Sequence, residues 1–512
     1  MNAGPPTPRA RRGGGRFLWG VATSPYQSEG GYNGAGQPQN NWAEAEDRGQ
    51  AAPTGAASGF WDRLEADLDL CRDMGLNAFR MGLEWARIQP VLDRNSRETP
   101  ALNEAALDHY AVRLAACRDR GLEPLVTLHH FTHPAWLGLD AWLQDETPAL
   151  FETYVRAAVH GINRRLVEQF QQAPLRWFIT INEPNMLVLN TYVRRQFPGS
   201  APSSPAAVAA AYNRLLAAHV RAYNAVHDVY RSANWPVPQV SMNTYSSDLY
   251  WNDKILWDLI SLREAGLRFS DWNDFLRARA RDFDEALLDA QLPVRRTPGW
   301  HLGRVFQNLA NWLHHLLFDA EALDYFQREL QRSPRARLFD FIAIDYYDPF
   351  SAHLFRLPTF EDLELPAPSW HAWVMEGVTR KWWDWKMLPE GLSFFCRHYA
   401  EEYHRPVVIA ENGMALRRRA DGTAGHRRGD QLTRSRFLNT HVAQIIRMVR
   451  EGVPLAGYFH WSLTDNYEWG SFTPRFGLYS VDYAGGGGRQ AEDHLGDRPS
   501  ETYARLIRQA GF

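Results

Sequence analysis

The sequence predicts a single parallel (β/α)8 barrel. Eight short apolar stretches recur along the chain, and each is followed by turn residues and then by a segment with helical spacing. This alternation is typical of a parallel sheet covered by helices, and eight such units close into a barrel. The length of 512 residues would by itself suggest about three domains, but a barrel with insertions can form one large domain.

The eight strand candidates are nearly continuous in apolar residues, as expected of strands that are buried on both faces. They lie at 16–22, 76–83, 122–128, 175–182, 237–245, 340–347, 406–411 and 454–461. Between them, the spacing of apolar residues predicts long amphipathic helices at 60–74, 206–230 and 431–450.

One connection is much longer than the others, since the fifth and sixth strand candidates begin at 237 and 340. The intervening residues 246–335 are rich in Trp, Arg, Asp and Leu with helix-like periodicity. We predict a helical insertion over the barrel mouth that shapes the substrate site, because long loops on a barrel's active face usually border that site. A surface excursion without such a role is the alternative. Residues 1–15 are predicted to form a disordered tail, which leaves 16–512 as the folded domain.

Composition narrows the functional classes. Hydrophobic residues make up 45% and charged residues 22% of the chain, as in ordinary soluble proteins. A net charge of −3 gives no reason to expect binding to nucleic acid or to an anionic membrane. Residues 1–15 lack the apolar core of a secretory signal, and no apolar run approaches the ~20 residues of a membrane helix. Because Cys71, Cys117 and Cys396 form no metal or redox motif, we expect free thiols in a reducing compartment and a cytoplasmic protein.

Two strand candidates end in a glutamate. The fourth delivers Asn182 and Glu183 before Pro184, and the seventh delivers Glu411 before an Asn-Gly turn. In a parallel barrel the active site lies at the carboxyl ends of the strands, so both glutamates should reach one mouth. The other strands add polar and aromatic side chains there, namely Gln27, Arg80, His130, Asn243, Asp345, Tyr347, Trp461, Glu468 and Trp469.

These residue types suit a carbohydrate better than a phosphate or a nucleotide. Aromatic faces stack on the apolar faces of sugar rings, while amides and carboxylates form hydrogen bonds with vicinal hydroxyls. His129, His130 and His133 would suggest a metal, but no carboxylate stands nearby at a zinc-ligand spacing. We therefore predict a small-molecule glycoside or oligosaccharide substrate, with no metal and no cofactor.

Two motifs carry a family resemblance, Thr-Ile-Asn-Glu-Pro-Asn at 180–185 and Val-Ile-Ala-Glu-Asn-Gly at 408–413. They resemble the active-site motifs of glycoside hydrolase family 1, the retaining β-glucosidases and β-galactosidases. Further matches lie at 17–29, 79–88 and 461–469, the last continued by Arg475-Phe476-Gly477. The resemblance extends from about residue 16 to 483 and breaks down only in 246–335. It makes 16–512 the expected catalytic domain.

The resemblance implies a role for each matched residue. Glu411 would be the nucleophile and Glu183 the acid and then the base, in an exo-acting enzyme that removes terminal β-D-glucosyl, galactosyl or fucosyl residues. Arg80 and Tyr347 would hold the nucleophile, and Asn182 would bind the sugar 2-hydroxyl. The remaining sugar contacts would come from Gln27, His130, Asn182, Glu468 and Trp469, with Trp461 as the stacking floor.

Three positions depart from the family pattern. Ala410 replaces the usual Thr before the nucleophile, and Phe-Thr-His-Pro at 131–134 replaces Trp-Asp-Leu-Pro. Asp345 stands where the family usually has Asn. A third carboxylate near Glu411 would raise its pKa unless Arg80 compensates, so Asp345 bears on the pH optimum more than on the reaction.

The sequence argues against some alternative functions and leaves others open. An enzyme for 6-phospho-sugars would carry a Ser and a Lys-x-Tyr cluster after Trp461, whereas Glu468 would repel phosphate. A non-catalytic binding module on the same fold typically lacks one of the two glutamates, and both are present. A transglycosylase shares every catalytic residue and stays open, as do the choice between glucose and galactose and the oligomeric state.

Overall fold

The computed structural model describes residues 16–34, 36–90, 100–294, 296, 298–312, 318, 321–350, 353, 370, 382–418 and 425–512. Within them, eight parallel strands form a closed barrel. They are β1 Leu18–Ala22, β2 Ala78–Gly82, β3 Glu123–Thr127, β4 Trp177–Asn182, β5 Gln239–Tyr245, β6 Ile342–Tyr346, β7 Val407–Asn412 and β10 Leu455–Trp461. Their order around the barrel is β1-β10-β7-β6-β5-β4-β3-β2. The predicted fold class is confirmed, and every predicted strand lies within a few residues of an observed one.

Five short strands lie outside the barrel and form two small antiparallel sheets. They are β8 Leu416–Arg418, β9 Gly425–His426, β11 Pro474–Arg475, β12 Ser480–Asp482 and β13 Gly488–Gln490. The sheet β11-β8-β9 follows β7 and β10, so it builds on the same end of the barrel as the two glutamate motifs.

Helices surround the barrel, and the three long helices predicted at 60–74, 206–230 and 431–450 are confirmed. The described helices up to the fifth strand are α1 Pro25–Ser28, α2 Asn41–Asp47, α3 Phe60–Asp73, α4 Trp85–Ile88, α5 Glu104–Asp119, α6 Thr147–Glu168, α7 Pro184–Val188 and α8 Pro205–Ser232. Those that follow are α9 Lys254–Ser261, α10 Trp272–Asp289, α11 Pro298–Trp312, α12 Asp324–Arg332, α13 Pro389–Tyr403, α14 Arg434–Arg450 and α15 Pro499–Ala510.

The strands are buried on both faces, which explains their continuous apolar sequences. In β1, Leu18 and Ala22 belong to the cluster that fills the barrel interior, whereas Trp19 and Val21 belong to the layer between barrel and helices. This alternation follows from the two-residue period of a strand. Gly20 lies where a Cβ atom would overlap the ring of Phe459, so the glycine makes room for a large interior side chain.

The described part of the long connection packs against the outside of the barrel. In α9, the Trp257 indole donates a hydrogen bond to Thr244 Oγ1 at 2.9 Å. The buried Lys254 ammonium pairs with Asp258 at 2.9 Å and with Glu402 of α13 at 2.8 Å. Phe283 of α10 contacts the aromatic rings of α13.

The position over the barrel mouth that we expect for 246–335 stays a prediction, because part of this connection lies outside the described residues. The apolar faces of α9, α10 and α12 are buried against neighbours that include α8 and α13, because burial of apolar surface requires a matching apolar partner. By contrast, Leu302, Val305 and Leu309 of α11 are exposed. The predicted tail at 1–15 lies outside the described residues. Cys71, Cys117 and Cys396 are free and buried. No described helix combines the length and apolar character needed to cross a lipid bilayer.

We expect Trp257→Ala to destabilise the fold, because it empties a fully buried site between α9 and the barrel. The cost should be about 3–5 kcal/mol, as for other large-to-small core changes. Thermal unfolding should show a clearly lowered midpoint. The control is Val237→Ala, whose side chain is 74% exposed and should be nearly neutral. Equal midpoints for the two variants would contradict this account of how the long connection is anchored.

Candidate active site

Glu411 is held in position by the end of β7. The next residue, Asn412, donates from its side chain to the carbonyl of Tyr346 at 2.6 Å and accepts from the Tyr458 hydroxyl at 3.0 Å. Gly413 follows, at a position where a Cβ atom would overlap the backbone of Trp461. The strand end is thereby tied to both neighbouring strands, and the carboxylate of Glu411 points out of it into the barrel mouth.

Glu183 occupies a strained backbone position at the end of β4. Its φ of 37° lies in the left-handed region, which few non-glycine residues adopt and which clusters at functional sites. The strand register shifts between Ile179 and Asn182, and the Glu183 amide donates to the carbonyl of Asn243 at 3.0 Å. Pro184 then begins α7. This sharp change from strand to helix places the Glu183 carboxyl, 7% exposed, at the mouth.

Arg80 and Tyr347 bind the two carboxylate oxygens of Glu411. Arg80 Nη1 donates to Oε1 at 2.7 Å, and the Tyr347 hydroxyl donates to Oε2 at 2.9 Å. Arg80 is fully buried, and its Nη2 donates to Asn182 Oδ1 at 2.6 Å. Burial raises the pKa of Glu411, while the charge of Arg80 and these hydrogen bonds oppose that rise.

A third buried carboxyl, Asp345, completes a group of three. Glu183, Asp345 and Glu411 each offer an oxygen within 4.8 Å of the others. Asp345 accepts a hydrogen bond from the Asn243 side chain, and its Oδ1 lies 3.9 Å from Arg80 Nη1. Among the described residues, Arg80 is the arginine that forms an ion pair with this group of three carboxyls.

Protonation of two of the three carboxyls removes the negative charge that Arg80 does not balance. Burial, followed by the negative charge of Glu411, raises the pKa of both Glu183 and Asp345 well above their ordinary values. Glu411 alone of the three receives donors on both oxygens. We therefore assign the negative charge to Glu411 and protons to Glu183 and Asp345, because carboxyls this close to one another disfavour joint ionisation.

The same three carboxyls are the group among the described residues whose spacing would fit a metal ion. The guanidinium of Arg80, already 2.7 Å from Glu411, opposes a second cation there. The absence of a metal and of a cofactor stays a prediction. Burial keeps the pKa of His129 and His133 well below the usual value, so both rings are neutral.

The remaining predicted residues form the inner part of the same cavity. Glu468 accepts from Gln27 Nε2 at 2.9 Å and from the Trp461 indole at 3.1 Å. Burial is the main cause that raises the pKa of Glu468 to about 8. The His130 ring lies nearly parallel to those of Trp461 and Trp469, each at 5.9 Å. Polar groups and aromatic faces thus lie together, as a sugar ring requires.

The structure brings most of the predicted residues to one cavity. It is lined by Gln27, His130, Asn182, Glu183, Tyr347, Glu411, Trp461, Glu468 and Trp469, while Arg80 lies behind Glu411. The sequence analysis missed several lining residues, namely Met186, Asn190, Arg194, Gln196, Phe197, Trp382 and Trp385. Two features of the sequence could have identified these lining residues. They are the cluster of tryptophans at 382–385 and the closeness of 186–197 to Glu183 along the chain.

A closed barrel with two glutamates facing each other across such a cavity is typical of a glycoside hydrolase. The chain belongs to glycosyl hydrolase family 1, whose model matches residues 13–255 and 310–510. The unmatched residues 256–309 lie within the long connection between β5 and β6. The protein is accordingly a glycoside hydrolase, and the expected family is confirmed.

Several relatives span nearly the whole chain. Beta-glucosidase A of Thermotoga maritima is 27% identical over 476 residues, which cover 91% of this chain and 93% of that protein. The 6-phospho-beta-galactosidase 1 of Streptococcus pneumoniae strain R6 is 26% identical over 491 residues, with 91% and 93% covered. The solved structure of a Thermotoga maritima beta-glucosidase in complex with noeuromycin superposes with a TM-score of 0.64 at 22% identity and covers 97% of this chain and 98% of that one. The last comparison shows a shared fold.

We expect Asp345→Asn to stabilise the protein increasingly as the pH rises. The unfolded chain releases the Asp345 proton above a pH of about 4, whereas the raised pKa makes the folded protein retain it. The wild type therefore loses stability between that pH and the raised pKa, and an amide removes this loss. Unfolding midpoints at pH 5, 6, 7 and 8 should diverge.

The control is Asp274→Asn, since the Asp274 side chain is 87% exposed. Its difference from the wild type should hardly change with pH. A constant difference between Asp345→Asn and the wild type across this range would show that Asp345 is ionised in the folded protein, contrary to our assignment.

Proposed function

We propose that the protein is a retaining, exo-acting β-glycosidase with Glu411 as nucleophile and Glu183 as acid and base. The observation that carries this proposal is the spacing of the two carboxyls, whose nearest oxygens lie within 4.8 Å. A retaining pair is ~5–5.5 Å apart, whereas an inverting pair is ~6.5–9.5 Å apart to admit a water. Direct attack on the anomeric carbon is therefore favoured.

In the first step, Glu411 attacks the anomeric carbon as the bond from that carbon to the glycosidic oxygen breaks. Glu183 gives its proton to the departing oxygen, so the aglycone leaves as a neutral alcohol or phenol. Arg80 and Tyr347 keep Glu411 ionised and aimed until the bond forms. The product of this step is a glycosyl ester of Glu411 and an ionised Glu183.

In the second step, Glu183 takes a proton from water, and the resulting hydroxide equivalent attacks the anomeric carbon. The ester bond breaks, which restores the Glu411 carboxylate and releases a sugar of unchanged anomeric configuration. Esterification has removed the negative charge of Glu411, which is one cause of the raised pKa of Glu183. The pKa of Glu183 therefore falls when it must act as a base.

We infer that the inner end of the cavity binds one terminal sugar. Glu468 and Gln27 offer hydrogen-bonding atoms for its outer hydroxyls, and His130 and Trp469 add further contacts. Asn182, held by Arg80 and Asn243, is placed for the 2-hydroxyl, and Trp461 supplies the stacking face. The substrate class is a small β-glucoside, β-galactoside or β-fucoside. We also propose that 16–512 act as one catalytic domain in the cytoplasm.

Glu411→Ala should reduce the hydrolysis of aryl β-glycosides by roughly 10⁴-fold or more, the order found when a catalytic nucleophile is removed. Added azide should restore release of the phenol, and the glycosyl azide should have the α configuration because only one displacement has occurred. Product configuration can be read by proton NMR. Glu390→Ala, an exposed change on α13, serves as the control. Equal activity of Glu411→Ala and wild type would end the nucleophile assignment.

Glu183→Gln should slow substrates with poor leaving groups by roughly 10²–10⁴-fold, the usual contribution of a general acid. Substrates with acidic phenols should lose much less in their first step, because their leaving group needs no proton. The alkaline limb of kcat/KM against pH should also disappear, since it reports the loss of the Glu183 proton. Glu329→Gln, a buried glutamate of α12, is the matched control. Equal losses for both kinds of leaving group would argue against the acid role.

A further inference from the structure

Arg194 lies on the wall of the active-site cavity, beyond the residues assigned to the sugar. It follows a π-helical turn, Leu189–Val193, which continues α7 directly from Glu183. Such turns occur frequently at functional sites. Arg194 lines the same cavity as Glu183 and Glu411. Arg194 follows Glu183 within a dozen residues of the chain. Arg194 therefore lies on the same side of the cavity as Glu183.

The guanidinium of Arg194 has no carboxylate partner among the described residues. Its hydrogen bond there runs from Nη1 to the amide oxygen of Asn190, at 3.4 Å. By contrast, the buried Arg87 and Arg434 each have a carboxylate oxygen within 3.0 Å. Burial also lowers the pKa of Arg194 to about 10. Arg194 is only partly buried, so its guanidinium is accessible from the cavity and can pair with a carboxylate that enters it.

Tyr245 connects Arg194 to the catalytic end and to an aromatic wall. The phenol of Tyr245 interacts electrostatically with both Glu183 and Arg194. Its ring packs edge-on against that of Trp385 at 6.2 Å. The indole nitrogen of Trp385 is buried and has no acceptor among the described residues. This part of the cavity therefore combines apolar ring faces with unused hydrogen-bond donors.

We propose that Arg194 forms a subsite for a carboxylate on the aglycone of the substrate. A guanidinium matches the planar geometry of a carboxylate, and the aromatic rings nearby suit an apolar body that carries it. The anion belongs to the aglycone rather than to the sugar, because Glu468 occupies the sugar end and Glu183 faces the leaving group. This inference rests on the proposed function, and it adds the chemical class of the aglycone.

The test compares two aryl β-glycosides of nearly equal shape, 3-carboxyphenyl and 3-carbamoylphenyl, each as the glucoside and the galactoside. Wild type should prefer the carboxylate by roughly tenfold to a hundredfold in kcat/KM, the range of a hydrogen bond to a charged group. Arg194→Gln should bring this ratio close to one, and Arg194→Lys should retain part of it. Thermal unfolding of each variant verifies that it is folded.

The control is Arg195→Gln, an identical substitution at the neighbouring exposed arginine, which should keep both the activity and the ratio. A wild-type ratio at or below one, or an unchanged ratio in Arg194→Gln, would overturn the inference. Failure of the wild type to cleave either aglycone from either sugar is a separate outcome. It would refute the proposed function, and the aglycone subsite would fall with it.

Discussion

The contact between Arg80 and Glu411 is the interaction on which the rest of the site depends. Three carboxyls converge at the mouth of the barrel, and in the part of the chain that the structure describes one buried guanidinium, that of Arg80, pairs with them. By pairing with one carboxyl, Arg80 decides which group is negative, and the other two must then hold protons. The proposed nucleophile and the proposed acid are chemically identical side chains, and this asymmetry in their surroundings is what would give them different roles.

Much of the fold could be predicted from the sequence because the pattern of residues within each strand determines where that strand forms. A parallel strand covered on both faces must be apolar throughout, so Val407–Asn412 and Trp177–Asn182 stood out, and with them the glutamates at their ends. The position of the long connection between β5 and β6 could not be predicted from local residue patterns. Periodicity shows that α9 and α10 have apolar faces, but many surfaces could cover those faces, and the actual partner is α13.

The site was predictable to the extent that it lies at strand ends. Glu183, Glu411 and their neighbours follow from that rule, but the distance between two carboxyls is a tertiary property that no spacing in the chain encodes. Arg194 was missed for a related reason. An arginine in a loop is normally solvated and paired. The sequence around position 194 does not show that its guanidinium lies in a cavity wall where no described carboxylate pairs with it.

Closure of the barrel joins β1 to β10, so the first strand has one of its two neighbours at the far end of the chain. While the protein is being synthesised, β1 can pair with β2 soon after both emerge from the ribosome, but its other edge stays open until residue 461 has been made. Open strand edges attract other chains. The free edge of β1 is therefore available for pairing with other chains until the last strand of the barrel has been made.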